Sequence, residues 1–500
     1  MENFATAFGM IFQLPNIVLM VVGLIIGIII GAIPGLNTPL AVALALPFTF
    51  HLPPLAGLSM LIGIYKGGTY GGSISAILIN VPGTPAAACT AIDGSVLAKK
   101  GQAGKALKMS IYASIFGELC SDLVLILLAF QIARIALEFG PAEYFALGLF
   151  ALTVIGMVSG KSLLRGLISG FLGILLSTSG FDPIDGGNRF SFGIYELSGG
   201  LTLIPMIIGV FAIAEVLVQA EKCAFNSSDR NVLELSPNPE DNRVTRDDLK
   251  EAFPAILRGT LIGTIIGAIP GTGAAIAAFL SYGLAKRFSK TPEKFGEGAL
   301  EGVAAAESAN NGVCGTTLVP LLTLGIPGDV VTAIMVGALM VHGLIPGPTL
   351  FQQHGDFVTA LFIGMLIATI LHLFIAMLGL PLFIRAVRTP RGVLFPLVAI
   401  LCVTGTLAAT GSTFDLFVML GFGFLGYAMI KFGYPVPPML IGFILGPLVE
   451  VALRQSMTLS NDSISIFFTR PVACFFVVLT GIVIVSMAWG AWKRKLKGTT

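Results

Sequence analysis

Charged residues are scarce in this chain of 500 residues. Asp, Glu, Lys and Arg make up 11% of the sequence, and hydrophobic residues make up 55%, whereas a soluble domain has about 25% charged residues. So few charges do not suit the surface of an ordinary water-soluble fold. The scarcity therefore excludes that class and indicates a chain surrounded by lipid.

Metal-binding and catalytic patterns are also missing. The six cysteines contain no Cys-x-x-Cys pair, and the four histidines match no zinc spacing. No Gly-x-Ser-x-Gly elbow occurs, and Ser-Gly-Lys-Ser at 159–162 lacks the first glycine of a P-loop, because Ile155 stands there. We therefore expect no disulfide, no metal, no cofactor and no catalytic residue.

Charge of one sign does not accumulate either. The formal net charge is +2, and the basic residues lie in short loops between apolar segments. Nucleic-acid binding needs a basic patch or arm, so the sequence does not indicate a nucleic-acid partner. We therefore expect membrane lipid around the chain and no nucleic acid.

Long apolar runs are what the sequence has instead. Runs of about 18 residues or more, the length that crosses a bilayer, cover roughly 16–36, 110–137, 142–160, 201–218, 359–384 and 472–491. Shorter runs lie between them. The pattern predicts an all-α polytopic membrane protein with about 10–12 transmembrane helices.

Segments far apart in the chain match in the same order. GIIIGAIPG at 27–35 returns as GTIIGAIPG at 263–271, an offset of 236 residues. VPG at 81–83 returns as IPG at 326–328, and PMIIG at 205–209 returns as PMLIG at 438–442, at offsets of 245 and 233. Three pairs of matching segments, in the same order and at nearly constant spacing, predict two repeated halves.

The repeat defines the expected domains. We expect a first transmembrane repeat over 1–220, a cytoplasmic linker over 221–250 within the longest polar stretch, and a second transmembrane repeat over 251–455. An extra transmembrane helix and a basic tail occupy 456–500. Because Lys493, Arg494, Lys495 and Lys497 lie in that tail, we expect a cytoplasmic C-terminus.

Basic loops indicate how the halves are oriented, because short cytoplasmic loops accumulate Lys and Arg. Loops at 99–108 and 161–165 are basic, but their counterparts in the second half, 341–358 and 410–415, have no Lys or Arg. Conversely, the basic loops at 286–294 and 385–391 correspond to 50–57 and 138–143, which have none. The alternation favours inverted repeats over a parallel duplication and predicts a periplasmic N-terminus.

Each half carries two Pro-Gly pairs inside apolar segments. The pairs are Pro34-Gly35, Pro82-Gly83, Pro270-Gly271 and Pro327-Gly328. Proline removes a backbone donor and glycine lets the chain reverse, so the pairs predict re-entrant or discontinuous helices. A helix that resumes there offers N–H groups and a positive dipole end to an anion. The alternative is that the pairs only kink tightly packed helices, but their repetition favours a binding role.

Polar residues near these pairs complete the expected substrate-binding set. They are Asn37, Thr38, Asn80, Thr84, Thr272, Gly273, Asn310 and Asn311. Intramembrane carboxylates commonly mark ion paths, so Glu307, Asp93 and Asp329 are our candidates for coupling to Na⁺ or H⁺. Glu118 and Asp122 lie one helical turn apart and either couple an ion as well or form a structural pair.

Four motifs together resemble one family. They are GAIPGLNTPLAVALALPFTF, GGTYGGSISAILINVPGTPAAACTAIDG, EGVAAAESANNGVCGTTLVPLLTLGIPGDVVTAIMVGAL and FDPIDGGNRFSFG. From about residue 15 to 455, the chain resembles TctA, the large membrane subunit of the tripartite tricarboxylate transporters.

The resemblance implies a bacterial inner-membrane symporter for citrate-like organic acid anions, driven by a sodium or proton gradient. It also implies a small four-helix membrane subunit and a periplasmic substrate-binding protein as partners. An elevator motion fits inverted-repeat carriers by analogy. A passive anion channel and a membrane-embedded enzyme are the alternatives.

Inverted repeats predict that loops 99–108 and 286–294 face the cytoplasm, whereas their counterparts 341–358 and 50–57 face the periplasm. Single cysteines placed in each loop of a cysteine-free variant, labelled by a membrane-impermeant maleimide in intact and permeabilised cells, measure this. Labelling of both members of a matched pair from the same side would show a parallel duplication.

Overall fold

The structure, a computed structural model, describes residues 2–158, 162–225, 235–389 and 391–496. The helices before the linker are α1 (Glu2–Ile11), α2 (Leu14–Ala32), α3 (Thr38–Thr49), α4 (Pro54–Ile79), α5 (Ala87–Lys99), α6 (Ala103–Ala136), α7 (Pro141–Val158), α8 (Leu163–Ser177), α9 (Leu203–Ile207) and α10 (Ala214–Phe225). A π-helical segment, Ile208–Ile213, makes α9 and α10 continuous. Two short strands, β1 (Gly180–Phe181) and β2 (Asn188–Arg189), lie between α8 and α9.

Twelve helices follow the linker within the described residues. They are α11 (Arg246–Gly267), α12 (Gly273–Phe288), α13 (Leu300–Thr316), α14 (Leu318–Leu324), α15 (Val330–Val341), α16 (Pro348–Gln353), α17 (Gly355–Ala386), α18 (Arg391–Thr410), α19 (Thr413–Lys431), α20 (Val436–Leu459), α21 (Ile466–Thr469) and α22 (Pro471–Leu496). The predicted all-α class is confirmed.

Six helices are long and apolar enough to cross a membrane, judged by length and composition. They are α2, α6, the helix made of α9 and α10, α17, α19 and α20. Six shorter apolar helices of 10–17 residues accompany them in the described part of the chain. The chain is therefore a multi-pass membrane protein. The count of about 10–12 crossings stays a prediction.

The elements that follow α1 recur in the same order in the second part of the chain. In the first part, the long helix α2 ends at a Pro-Gly break, the short helix α3 follows, and α4 leads to the second break. In the second part, α11, α12 and then α13 with α14 take the same places. The chain resumes in α5 or α15, and four further helices complete each set, with α16 as an insertion in the second. This recurrence follows the sequence repeat, and the opposite orientation of the halves stays a proposal.

Glycines allow the backbones of α2 and α4 to touch. Gly23, Gly27 and Gly31 lie on one face of α2, against backbone atoms of α4. Added at Gly27, a β-carbon would lie 2.5 Å from the carbonyl oxygen of Ile64 and 2.8 Å from the backbone nitrogen of Gly68. Small residues at four-residue spacing are the usual means of close helix packing in lipid.

The second half repeats this contact. Gly259, Gly263 and Gly267 of α11 stand 236 residues after the three glycines of α2 and lie against α13. At Gly267, an added β-carbon would lie 2.9 Å from the carbonyl oxygen of Val313. The first break of each half thus follows a helix that is fixed by backbone contact.

The segment between α8 and α9 forms a hairpin in which β1 pairs antiparallel with β2. Asp182 accepts N–H bonds from Ile184 and Asp185 and forms ion pairs with Arg189 and with Arg454 of α20. Those N–H donors, with the two guanidinium groups, hold the pKa of Asp182 below its ordinary value. The motif FDPIDGGNRFSFG therefore builds a loop that is anchored on α20.

The expected linker, 221–250, is helical at both ends. Helix α10 continues to Phe225, and α11 begins at Arg246 after a capping box between Thr245 and Asp248. Residues 226–234 and 159–161 lie outside the described residues, as does Lys497 of the basic tail. The extra C-terminal helix expected near 472–491 lies within α22.

Gly27→Ala is expected to destabilise the fold by about 1–3 kcal/mol, the usual cost of overpacking, because the new methyl group meets backbone rather than a movable side chain. Thermal unfolding in detergent, followed by size-exclusion chromatography, measures the loss. Gly421→Ala in α19 is the matched control, since no atom lies within 4 Å of its added β-carbon. Equal losses in the two variants would show that the α2–α4 contact is not the cause.

Candidate functional site

The four chain breaks meet at one cavity of about 540 Å³. The helices that resume after the breaks are α3, α5, α12 and α15, and residues at the start of each line the wall. Eight of the expected site residues lie there: Asn37, Thr38, Thr84, Gly271, Thr272, Gly273, Asn310 and Asp329. The structure therefore brings together segments that are nearly 300 residues apart in the sequence.

Helices α3 and α5 start with side-chain caps. Asn37 Oδ1 accepts a hydrogen bond from the N–H of Leu40 at 2.9 Å, because an asparagine before a helix can replace the missing intrahelical acceptor. Thr84 Oγ1 accepts from the N–H of Ala87 at 3.2 Å. These caps fix the direction in which the two helix starts point at the cavity.

Helix α12 starts without such a cap. Thr272, which precedes it, makes no side-chain bond to its N–H groups. The hydroxyl of Thr272 instead donates to the carbonyl oxygens of Ile266 and Ile269 at the end of α11, at 2.6 and 2.9 Å. The first N–H groups of α12 therefore have no side-chain acceptor, and a bound anion could accept from them.

Helix α15 has its own acidic cap. Asp329 Oδ1 accepts from the N–H of Thr332 at 2.8 Å, and the hydroxyl of Tyr65 donates to Asp329 Oδ2 at 2.6 Å. The carboxylate therefore balances the positive end of its own helix. One carboxyl group thus stands in a cavity whose lining, among the described residues, includes no Lys or Arg.

Two polar groups in the wall lack partners in the described part of the chain. The amide nitrogen of Asn310, in α13, is buried and donates no hydrogen bond, and the hydroxyl of Thr38 is buried without a partner. Buried polar groups are nearly always hydrogen-bonded, so such groups at a cavity suggest a missing ligand or water. Both can donate to a carboxylate oxygen.

The other expected substrate-binding residues do not line the cavity. They are Pro34, Gly35, Asn80, Pro82, Gly83, Pro270, Asn311, Pro327 and Gly328. Most of these shape the breaks: Gly35 and Asn80 have φ of 95° and 54°, which reverse the chain. The N–H of Gly271 donates to the carbonyl oxygen of Gly328 at 2.8 Å, which joins the two breaks of the second half.

Glu307 lies outside the cavity, one helical turn before Asn310. Its buried carboxylate accepts hydrogen bonds from Ser73 at 2.5 Å, Ser114 at 3.0 Å, Asn311 Nδ2 at 3.3 Å, and Thr90. No Lys, Arg or His pairs with it among the described residues. A carboxylate held only by neutral donors in a membrane is a group that a proton or a sodium ion can neutralise.

Asp93 lies away from the cavity, in α5, with its carboxylate against the loop before α13. Its Oδ1 accepts from the N–H groups of Gly296, Gly298 and Ala299 at 2.7–2.9 Å, and Tyr282 donates to its Oδ2 at 2.9 Å. Because these four donors satisfy the carboxylate of Asp93, the side chain can be buried without a cation beside it. An ion-coupling role for Asp93 stays a prediction.

Thirteen further wall residues are outside the expected set, and five of them show what the sequence did and did not signal. Tyr65 and Cys314 lie inside helices, where nothing in the sequence distinguishes them from packing residues. Ile441 lies within the repeated motif PMLIG at 438–442, Pro437 directly precedes it, and Phe211 lies two residues after its counterpart PMIIG at 205–209. The repetition of this motif in both halves is the one sequence signal near these positions.

A sequence model of the tripartite tricarboxylate transporter TctA family matches residues 17–441. The chain belongs to this family. Membership supports a role as the large subunit of a tripartite transporter, and it implies further subunits.

Two proteins of Agrobacterium vitis are similar along much of their length. The "uncharacterized 52.8 kDa protein in TAR-I ttuC' 3'region" is 37% identical over 462 residues, which cover 92% of this chain and 90% of that protein. The "uncharacterized protein in TAR-II ttuC' 3'region" is 39% identical over 220 residues, which cover 43% of this chain and 89% of that protein. No solved structure matches the chain.

Asn37→Ala and Asn310→Ala are expected to differ in stability. Loss of the Asn37 cap should lower the free energy of unfolding by about 1 kcal/mol. Asn310→Ala should change it by less than about 0.5 kcal/mol, because the Asn310 amide nitrogen donates to no group in the folded chain. Denaturant unfolding of both purified variants checks this. A larger loss in Asn310→Ala would mean that Asn310 is a packing residue.

Proposed function

We propose that this TctA-family chain imports tricarboxylates or related organic acid anions by cation symport, and that the anion binds in the cavity at the four breaks. The observation that carries the proposal is the convergence of four helix starts with the two unpartnered donors, Asn310 and Thr38, on that cavity. The cavity volume, about 540 Å³, lies within the roughly 300–1,000 Å³ typical of small-molecule sites.

Helix starts supply the attraction for the anion. Each carries roughly half a positive charge at its N-terminus, concentrated on unpaired N–H groups. Around this cavity the start of α12 is uncapped, and those of α3 and α5 carry neutral caps. The helix dipoles attract the anion without forming a strong ion pair with it. The anion can therefore leave the cavity again on the other side of the membrane.

A coupling cation would offset the acidic groups. Asp329 puts a carboxylate in the wall, and Glu307 holds another behind Asn310, so a bound anion adds to negative charge already present. Na⁺ or H⁺ at Glu307 or Asp329 would reduce that repulsion and make the binding of cation and anion cooperative. This role is proposed for both residues.

The wider assembly follows from the family. We propose that a small four-helix membrane subunit and a periplasmic binding protein act with this chain in the bacterial inner membrane, with the C-terminus in the cytoplasm. A transport domain that includes α3, α5, α12 and α15 would move against the remaining helices in an elevator cycle. The opposite directions of the two halves would let the cavity open to either side in turn.

Proteoliposomes that contain the chain with its small subunit are expected to accumulate radiolabelled citrate, or another acid from a panel of di- and tricarboxylates, when given the binding protein and an inward cation gradient. Asn310→Ala should raise KM roughly tenfold to a hundredfold, since a hydrogen bond to a charged group contributes about 1.5–3 kcal/mol. Asn188→Ala, on the hairpin, is the matched control.

Two results would contradict the proposal. Absence of uptake across the whole panel, with the complete assembly present and correctly inserted, would remove the carrier function. Ion currents that flow without any dependence on a second ion gradient would show a passive channel instead.

A further inference from the structure

A second polar cluster lies buried between α4, α6 and α17, outside the cavity lining. We name it the charged tetrad: Lys66, Glu118, Asp122 and His372. All four side chains are at most 1% exposed. Ionisable groups in such a place are costly and usually functional.

One half of the charged tetrad is a saturated ion pair. Lys66 Nζ donates to both carboxylate oxygens of Asp122, at 3.0 and 2.8 Å, and to Thr369 Oγ1 at 2.7 Å. The hydroxyl of Thr369 in turn donates to Asp122 Oδ2 at 2.8 Å. All three protons of the ammonium group are engaged, which is the arrangement that a charged Lys66–Asp122 pair needs.

The other half is a carboxylate with an imidazole. His372 Nδ1 lies 3.1 and 3.3 Å from the two oxygens of Glu118, so Nδ1–H donates to the carboxylate. Lys66 Nζ is 3.7 Å from Glu118. His372 Nε2 is buried and has no hydrogen-bond partner in the described residues. With Nδ1 protonated, Nε2 carries a free lone pair that can accept a proton.

Charge counting shows that the charged tetrad is one proton short of neutrality. One lysine, two carboxylates and a neutral histidine sum to −1, and a proton on Nε2 brings the sum to zero. Of the neighbouring helices, α2 has no titratable residue, and α17 has none from 365 to 379 except His372. From α4, Tyr70 places its ring edge-on to the imidazole, with centroids 5.4 Å apart. Among the described residues, Lys66 and His372 are the basic groups that pair with Glu118 and Asp122.

We infer that the charged tetrad binds one exchangeable proton, accepted at Nε2 of His372, and that this proton crosses the membrane with the anion. The inference rests on the proposed function. In each cycle, water on the outer side supplies the proton, imidazole becomes imidazolium, and Nε2 returns the proton to water on the inner side.

The position of Lys66 links the charged tetrad to the cavity. Tyr65 precedes it and Thr69 follows within one helical turn, and both line the cavity. An anion in the cavity brings negative charge next to a cluster that is already at −1 without its proton. Anion binding therefore strengthens proton binding, and by linkage the proton strengthens anion binding by the same factor.

The test uses His372→Gln, which keeps a side chain that can hydrogen-bond to Glu118 but cannot take a proton near neutral pH. Accumulation driven by a pH gradient should fall about tenfold or more, within the range of roughly 5- to 150-fold expected for coupled sites. Exchange of labelled for unlabelled citrate across the membrane should persist, because it needs no net proton movement. His354→Gln, outside the charged tetrad, is the matched control.

A second measurement does not depend on how well a variant folds. Citrate entry into wild-type proteoliposomes at alkaline pH, where citrate itself brings no proton, should acidify the lumen as reported by a trapped pH-sensitive dye. Glu118→Gln removes one negative charge from the charged tetrad, so citrate uptake by this variant should no longer depend on pH.

The outcomes separate this inference from the proposed function. Wild-type uptake without lumenal acidification, or pH-driven accumulation that His372→Gln leaves intact, would overturn the proton site while leaving the carrier in place. If the wild-type assembly shows neither uptake nor exchange, the proposed function fails and the inference fails with it.

Discussion

A backbone inside a bilayer has no water to satisfy its N–H and C=O groups, so every interruption of a helix must find partners within the protein or a wet cavity. The four breaks of this chain meet that requirement in two ways. The N–H of Gly83 donates to the carbonyl oxygen of Gly72, and that of Gly271 donates to Gly328. The helix starts that remain point at a shared cavity. Under the proposed function, a solute that carries acceptors would complete the same set of bonds.

Much of this arrangement could be predicted because its signals are local. Pro-Gly pairs interrupt helices through the chemistry of two adjacent residues, and the repeated GAIPG shows that the interruption occurs in both halves. Asn37 and Thr84 follow the breaks directly, and both line the cavity. The prolines of the four Pro-Gly pairs do not line the cavity, whereas Gly271, which also turns the chain, does.

Pairings between distant helices could not be predicted in the same way. Glu118 and Asp122 were recognisable as a pair on one helix face, but Lys66 lies two helices earlier and His372 about 250 residues later. Asp93 looked similar to Glu307 in the sequence, since each is a lone acid in apolar surroundings. They differ because backbone N–H groups surround the first and hydroxyl groups surround the second, a distinction that only tertiary packing creates.

The glycine faces of α2 and α11 also bear on how the protein can move. Where backbone touches backbone, no side chain is left that could change rotamer and let one helix slide along the other. The α2–α4 pair therefore resists sliding, whereas in the α11–α13 pair the side chains of Ser308 and Thr316 also reach Gly259 and Gly267. Under the proposed function, a change in the shape of the cavity would therefore occur at contacts between larger side chains rather than along the glycine face of α2.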